Sequence, residues 1–207
     1  MLTLTISIGL LWGLAVLVPG PDTLMIVNIA MRAGRCRALS TVAGIVCGTL
    51  IFWLTGFFGV AALFYAAPWS YHALRIGGAL YLIHLGRRMI QTDMNSLTRA
   101  AVDAPRTTTI STPRAFAIGV TVNLSNPKTA LFIASLYASA LPPSPPMMLV
   151  GAVTLTTVSL SATWYSLLAL ALTSRTGQGY LAGVKRHLTR VFGAIFVVFG
   201  VKLILQK

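Results

Sequence analysis

The sequence predicts an all-α integral membrane protein of six transmembrane helices, arranged as two inverted three-helix repeats with the first and fourth helices broken. Three observations lead there. Of the 207 residues, 56% are hydrophobic and only 9% are charged, whereas soluble domains carry about 25% charged residues. Several uncharged runs reach the roughly 20 residues that a helix needs to cross a bilayer. Finally, the basic residues gather on alternate connections, and a proline-centred break recurs at matching positions in the two halves.

The first span covers 3–31 and is interrupted by Pro19-Gly20-Pro21-Asp22-Thr23. Proline removes a helix hydrogen bond and glycine weakens the helix, so it breaks there. The run has no basic leader, no small-residue cleavage site and no polar stretch behind it, so it reads as a retained span rather than a signal peptide. The second span covers 39–66 and the third 70–91. A polar segment, 92–113, carries Asp93, Asp103, Pro105 and several Ser and Thr. It divides the chain into a first repeat, 1–91, and a second, 114–207. The fourth span covers 114–140, the fifth 147–173 and the sixth 188–205. Gly44-x-x-x-Gly48, Gly77-Gly78, and Gly193 with Gly200 permit close helix approach, within one subunit or between subunits, so the oligomeric state stays open.

Charge sets the orientation. The net charge of +13 falls largely in three clusters: Arg32, Arg35 and Arg37; Arg87, Arg88, Arg99, Arg106 and Arg114; and Arg175, Lys185, Arg186 and Arg190. The connections between them, 67–70 and 141–146, contain no Lys or Arg. Basic connections resist translocation and sit beside anionic headgroups, so this alternation points to a lipid bilayer rather than to nucleic acid. It puts the arginines in the cytoplasm and both termini outside, Lys202 and Lys207 included. Trp69 and Tyr71 suit the outer interface, where amphipathic rings anchor.

The second break is Asn123-Leu124-Ser125-Asn126-Pro127-Lys128-Thr129. At 1.5 Å of rise per residue, Asp22 lies about 15 Å from Arg32, and Lys128 about 21 Å from Arg114. Both estimates fall near the middle of a hydrocarbon core about 30 Å thick. There is no Glu, and the other two acids are in the polar segment. A proline can be a mere kink, and a lysine can snorkel to an interface. Two matching breaks, each beside a charge of opposite sign, instead form the pattern of discontinuous helices meeting at a transporter's midplane site. Asp22 and Lys128 are expected to pair when the site is empty. Together they suit a zwitterion, the substrate ammonium on Asp22 and its carboxylate on Lys128 or a half-helix N-terminus. Asn123, Asn126, Thr23 and Asn28 are candidates to bond a polar substrate side chain, and Asp22 to carry a coupling proton.

Other chemistries fit less well. An intramembrane aspartyl protease needs a second midplane acid, and the G-x-S-x-G and H-E-x-x-H motifs are missing. No histidine has metal-ligand spacing with acids or cysteines, so neither metal nor cofactor is expected. A six-helix thiol-disulfide electron carrier is the rival of another class. It would want a reactive cysteine in each half, but Cys36, in the first basic loop, and Cys47 both lie in the first.

Pro19-Gly20-Pro21-Asp22-Thr23, Gly77-Gly78-Ala79-Leu80-Tyr81-Leu82 with Gly86, Asn126-Pro127-Lys128, and Gly193 with Gly200 together resemble the LysE/RhtB family of bacterial amino-acid exporters. The resemblance covers nearly the whole chain. Having both Asp22 and Lys128, with Asn123 to Lys128 and Gly44 to Gly48, is similar to the homoserine and threonine branch, and closest to threonine exporters. It implies efflux of a small neutral amino acid across the bacterial inner membrane, driven by proton antiport, with another amine or a cation as the alternative cargo. The residues it marks are Pro19, Gly20, Pro21, Asp22, Thr23, Asn123, Asn126, Pro127 and Lys128. One departure is the turn Leu141-Pro142-Pro143-Ser144-Pro145-Pro146, where many members carry a Pro-Gln-Phe-like ending.

Overall fold

The computed structural model describes residues 1–18, 20–67, 110–142 and 145–173, with isolated positions at 69, 76, 77, 80, 83, 84, 87, 194, 197, 198 and 201. The third and sixth spans and most of the 92–113 segment therefore lie outside the described residues, as do Pro19, Tyr71, Gly78, Gly193 and Gly200. Among the described residues the protein is all-helical, in six helices: α1 (Leu2–Leu17), α2 (Pro21–Ala33), α3 (Arg35–Ala66), α4 (Thr112–Leu124), α5 (Pro127–Ala140) and α6 (Met147–Leu172). Within α3, Arg35–Gly59 is long and apolar enough to cross a membrane, as is α6, and α1 with α2 makes a third such span bent by 52°. At 1.5 Å per residue, the 26 residues of α6 extend about 39 Å, more than a hydrocarbon core.

Both predicted breaks are present. α1 ends at Leu17, Val18 turns extended, and α2 restarts with Pro21 in its first turn. Proline suits that position because a first-turn N–H has no helical partner. The same device ends α4 at Leu124 and starts α5 at Pro127. Here the Asn126 side chain also caps the new helix, its Oδ1 accepting from the Lys128 backbone N–H at 3.0 Å.

The first basic connection is not the loop expected. α2 and α3 are joined by Gly34 alone, with φ +82, a left-handed conformation that glycine adopts without steric cost. Cys36 therefore sits, exposed, in the first turn of a helix. The second helix starts four residues earlier than its hydrophobic pattern implied, because polar residues cost little at a helix end beyond the apolar layer. The fourth likewise starts at Thr112, within the end of the predicted linker.

The packed interior joins the two halves. α3 packs most extensively on α4, and α1 on α6. Where α3 crosses α4 the contact is backbone to backbone. A Cβ on Gly44 would collide with the Phe116 carbonyl, and one on Gly119 with the Thr41 carbonyl. Arg37 Nε donates to the Ile110 carbonyl at 3.2 Å and Ser40 Oγ to the Thr112 carbonyl at 2.7 Å, fixing the start of α4. Buried Thr41, Thr49, Thr157 and Ser161 return their hydroxyls to carbonyls one turn back, as polar groups must where water is absent. The outward faces carry Leu10, Leu54, Phe58, Leu155 and Leu167. Apolar residues outside and hydroxyls inside suit a chain solvated by lipid.

Candidate functional site

The site is where the two helix breaks meet. Asp22 lies in the first turn of α2 and is 4% exposed. Its Oδ2 accepts from Asn123 Nδ2 at 3.0 Å, Asn126 Nδ2 at 3.0 Å and Thr129 Oγ1 at 3.4 Å. Those three donors come from the end of α4, the break itself and the first turn of α5. One carboxylate oxygen thus ties the first break to the second.

Lys128 makes the reciprocal tie. Its Nζ donates to the Val18 carbonyl at 2.7 Å and the Ala15 carbonyl at 2.9 Å. Both carbonyls lie at the C-terminal end of α1, where the helix breaks; the Ala15 carbonyl also accepts from the Val18 N–H at 3.2 Å. An anion in the first turn of one half-helix and a cation on the last carbonyls of another each complement a helix dipole, worth up to about 2 kcal/mol in buried geometry. Gly20 permits the approach. A Cβ there would stand 3.3 Å from Lys128 Cδ, tighter than most real contacts, and 3.5 Å from its Nζ, an ordinary contact.

The expected Asp22–Lys128 pair therefore takes a different form. The charges attract each other electrostatically, but each makes its hydrogen bonds elsewhere, and no direct ion pair joins them among the described residues. The reason lies in the broken helices, whose exposed ends offer each charge a nearer partner of the right sign.

Between them lies a small cavity of about 20 Å³, lined by Trp12, Ala15, Val16, Asp22, Thr49, Asn123, Lys128, Thr129, Phe132 and Tyr165. That is room for one water molecule. Two acceptors on this wall, Asp22 Oδ1 and Asn123 Oδ1, are buried without a hydrogen-bond donor. Tyr165 sits beside Thr23 and within the field of Asp22. An aromatic layer backs the cavity: the Trp12 ring lies 5.8 Å from Phe132 and 5.9 Å from Trp53, which is 5.3 Å from Tyr137. Trp12 Nε1 donates to Ser161 Oγ at 2.8 Å, and Tyr137 Oη to the Trp53 carbonyl at 2.6 Å. A second, wider cavity of about 340 Å³ opens beside Gly34, between the α2–α3 turn and the end of α6.

Of the residues singled out in sequence, Gly20, Asp22, Asn123, Asn126 and Lys128 come together directly. Thr23 is buried behind them against Tyr165. Pro21 and Pro127 shape the breaks but are exposed and outside the cavity wall. Asn28 is partly buried, on no part of that wall. Pro19 lies outside the described residues. Sequence reasoning missed Trp12, Thr49, Phe132 and Tyr165 because each sits in an apolar run with no break or charge to mark it. Among the described residues no three of His, Cys, Asp and Glu gather to hold a metal ion, and Cys36 and Cys47 are both free.

A chain that is all-helical among its described residues, with long apolar helices and a bent third span, is a multi-pass membrane protein. The LysE type translocator family model matches residues 14–207, and the chain belongs to that family of transporters. It is 26% identical to the threonine efflux protein of Salmonella typhi over 217 aligned residues, covering all of both chains. It is 31% identical to an uncharacterized membrane protein of Pseudomonas aeruginosa over 195 residues, 91% of this chain and 88% of that one. It is 28% identical to the leucine efflux protein of Salmonella choleraesuis over 192 residues, 91% of this chain and 88% of the relative. No solved structure matches the chain.

Proposed function

We propose that this protein exports small neutral amino acids, of the threonine and homoserine kind, from the cytoplasm across the bacterial inner membrane by proton antiport. One observation carries the reading. Asp22, on the first break, is held by three side chains of the second. A proton or a substrate ammonium arriving at this carboxylate shares its charge and weakens the bonds that lock the two halves together, so occupancy and conformation are coupled. The efflux relatives named for threonine and leucine supply the solute class.

The architecture behind this reading is six spans in two inverted repeats, 1–91 and 114–207, joined by a cytoplasmic segment at 92–113, with both termini outside. Its support is the reciprocal packing: α3 lies against α4 and α5 of the other half, and α6 against α1 and α2. The site residues are Gly20, Asp22, Thr23, Asn123, Asn126 and Lys128, with Pro19, Pro21 and Pro127 making the breaks. Amino-acid sites fill far more than 20 Å³, since ligand pockets run to roughly 300 Å³ and above. The arrangement therefore reads as a contracted state that widens to load. The wider cavity beside Gly34, whose lining begins at Ala30 about 12 Å along α2 from Asp22, supports loading from the end that carries Arg32 and Arg35.

Counterflow by reconstituted protein against an amino-acid panel, with and without a proton gradient, tests the proposal. Asp22→Asn is expected to abolish gradient-driven export. Unchanged, gradient-driven transport by that variant would remove Asp22 from the mechanism. The leucine relative and the wall of Trp12, Val16 and Phe132 favour a second reading, a larger apolar side chain. The same panel separates the two.

A further inference from the structure

The donors and acceptors of the site are unequal. Lys128 has three N–H donors, and two are spent on the Ala15 and Val18 carbonyls. Asn123 and Asn126 both donate to Asp22 Oδ2, and Thr129 Oγ1 turns the same way. What the wall leaves unmet is one Lys128 N–H against two acceptors, Asp22 Oδ1 and Asn123 Oδ1, on side chains 4% and 1% exposed, so acceptors are in excess. A buried acceptor without a donor is costly, so a ligand that donates to both is favoured. The aromatic residues Trp12, Phe132 and Tyr165 on the same wall are of the type that favours a cation over an anion.

Size points the same way. The cavity of about 20 Å³ holds one group the size of a water molecule, and an –NH₃⁺ head is such a group. It carries the N–H donors that both oxygens lack. A carboxylate has no donor to offer them, and the Asp22 charge repels it.

Resting on the exporter reading above, we propose that the site recognises its substrate through the primary ammonium at Asp22 Oδ1 and Asn123 Oδ1, and that amines whose carboxyl group is masked or missing are ligands too. The substrate class is then primary amines with a small uncharged body, amino acids among them. This assigns Lys128 to holding α1 rather than to holding the substrate carboxylate.

Competition binding on the purified full chain in detergent tests this without any variant. The labelled ligand is threonine or leucine, whichever binds. The competitors are its methyl ester, the matching amine without a carboxyl group, the N-acetyl derivative and the matching 2-hydroxy acid. The ester and the amine are expected to displace label within about tenfold of the parent, and the N-acetyl and hydroxy compounds about 100-fold more weakly or worse. A parent that binds while ester and amine fail overturns this inference alone. So does a hydroxy acid that competes as well as the amine. A chain that neither binds nor exports any amino acid overturns the exporter reading and this one with it.

Discussion

Gly48→Ala is expected to weaken substrate binding while leaving the fold intact. A Cβ at Gly48 would stand 2.7 Å from Asn123 Oδ1, 3.0 Å from its Cβ and 3.1 Å from its Cγ. The side chain has to give way, and in doing so it pulls Nδ2 from its 3.0 Å bond to Asp22 Oδ2. A hydrogen bond to a charged group is worth about 1.5–3 kcal/mol, or roughly 10- to 150-fold in Kd. Gly44→Ala, one turn earlier, behaves differently. Its new methyl meets the Phe116 carbonyl and stands 2.9 Å from the Val120 nitrogen. Backbone cannot rotate aside, so this variant is expected to lose thermal stability and expression instead. The assay is ligand binding and thermal unfolding of purified Gly48→Ala, Asn123→Ala and the double variant. Most of the clash disappears with the Asn123 amide, so the double variant should bind about as Asn123→Ala does. Two strictly additive losses, or wild-type binding by Gly48→Ala, would refute the link.

Three further outcomes follow from the same geometry. Ser161→Ala leaves the Trp12 indole N–H buried without its acceptor and is expected to cost about 1–3 kcal/mol, read as a lower unfolding temperature that Trp12→Phe in the same chain partly restores. Gly34→Ala forces a φ of +82 on a residue with a side chain, costing about 1–2 kcal/mol in thermal stability, although nothing lies within 4 Å of the added methyl. Lys128→Met takes the side-chain donor from the Val18 carbonyl and one of two donors from the Ala15 carbonyl, which keeps the Val18 N–H; amide hydrogen exchange in the last turn of α1 should rise, and a variant as protected as wild type would show that Lys128 does not anchor α1.

The breaks were legible because they violate local rules: Pro19-Gly20-Pro21 and Asn126-Pro127 are helix stoppers in runs otherwise built for helix, with charges beside them. Their meeting was legible only through the expected repeat, since nothing in either segment names the other. The bonding pattern was not. A carboxylate and an ammonium at similar depth invite a direct pair, and only the exposed helix ends, whose directions depend on the bend, divert Lys128 to Ala15 and Val18. Gly48 was legible as a packing glycine, but what it makes room for, the Asn123 amide, depends on how far α4 has rotated against α3. Trp12 and Tyr165 left no trace, because an aromatic ring in a membrane helix is ordinarily packing, and Trp53 and Tyr137 are just that.

The separation of the two charges bears on how such a site moves. Had Asp22 and Lys128 bonded each other, the arrival of a cationic head would break one strong contact and strand an ammonium in an apolar layer. Here each charge keeps a partner that belongs to the backbone or to amides, and Asp22 keeps one oxygen free of donors. A cationic head is accommodated by adding bonds at that oxygen rather than by exchanging them. The Lys128 clamp on α1 survives its arrival, while the amide contacts to Oδ2 weaken as the carboxylate's charge is shared. On the proposed exporter reading, loosening would be directed at the contacts between Asp22 and α4, α5 and the break, leaving α2 held by its packing on α3 and α6 and α1 by Lys128.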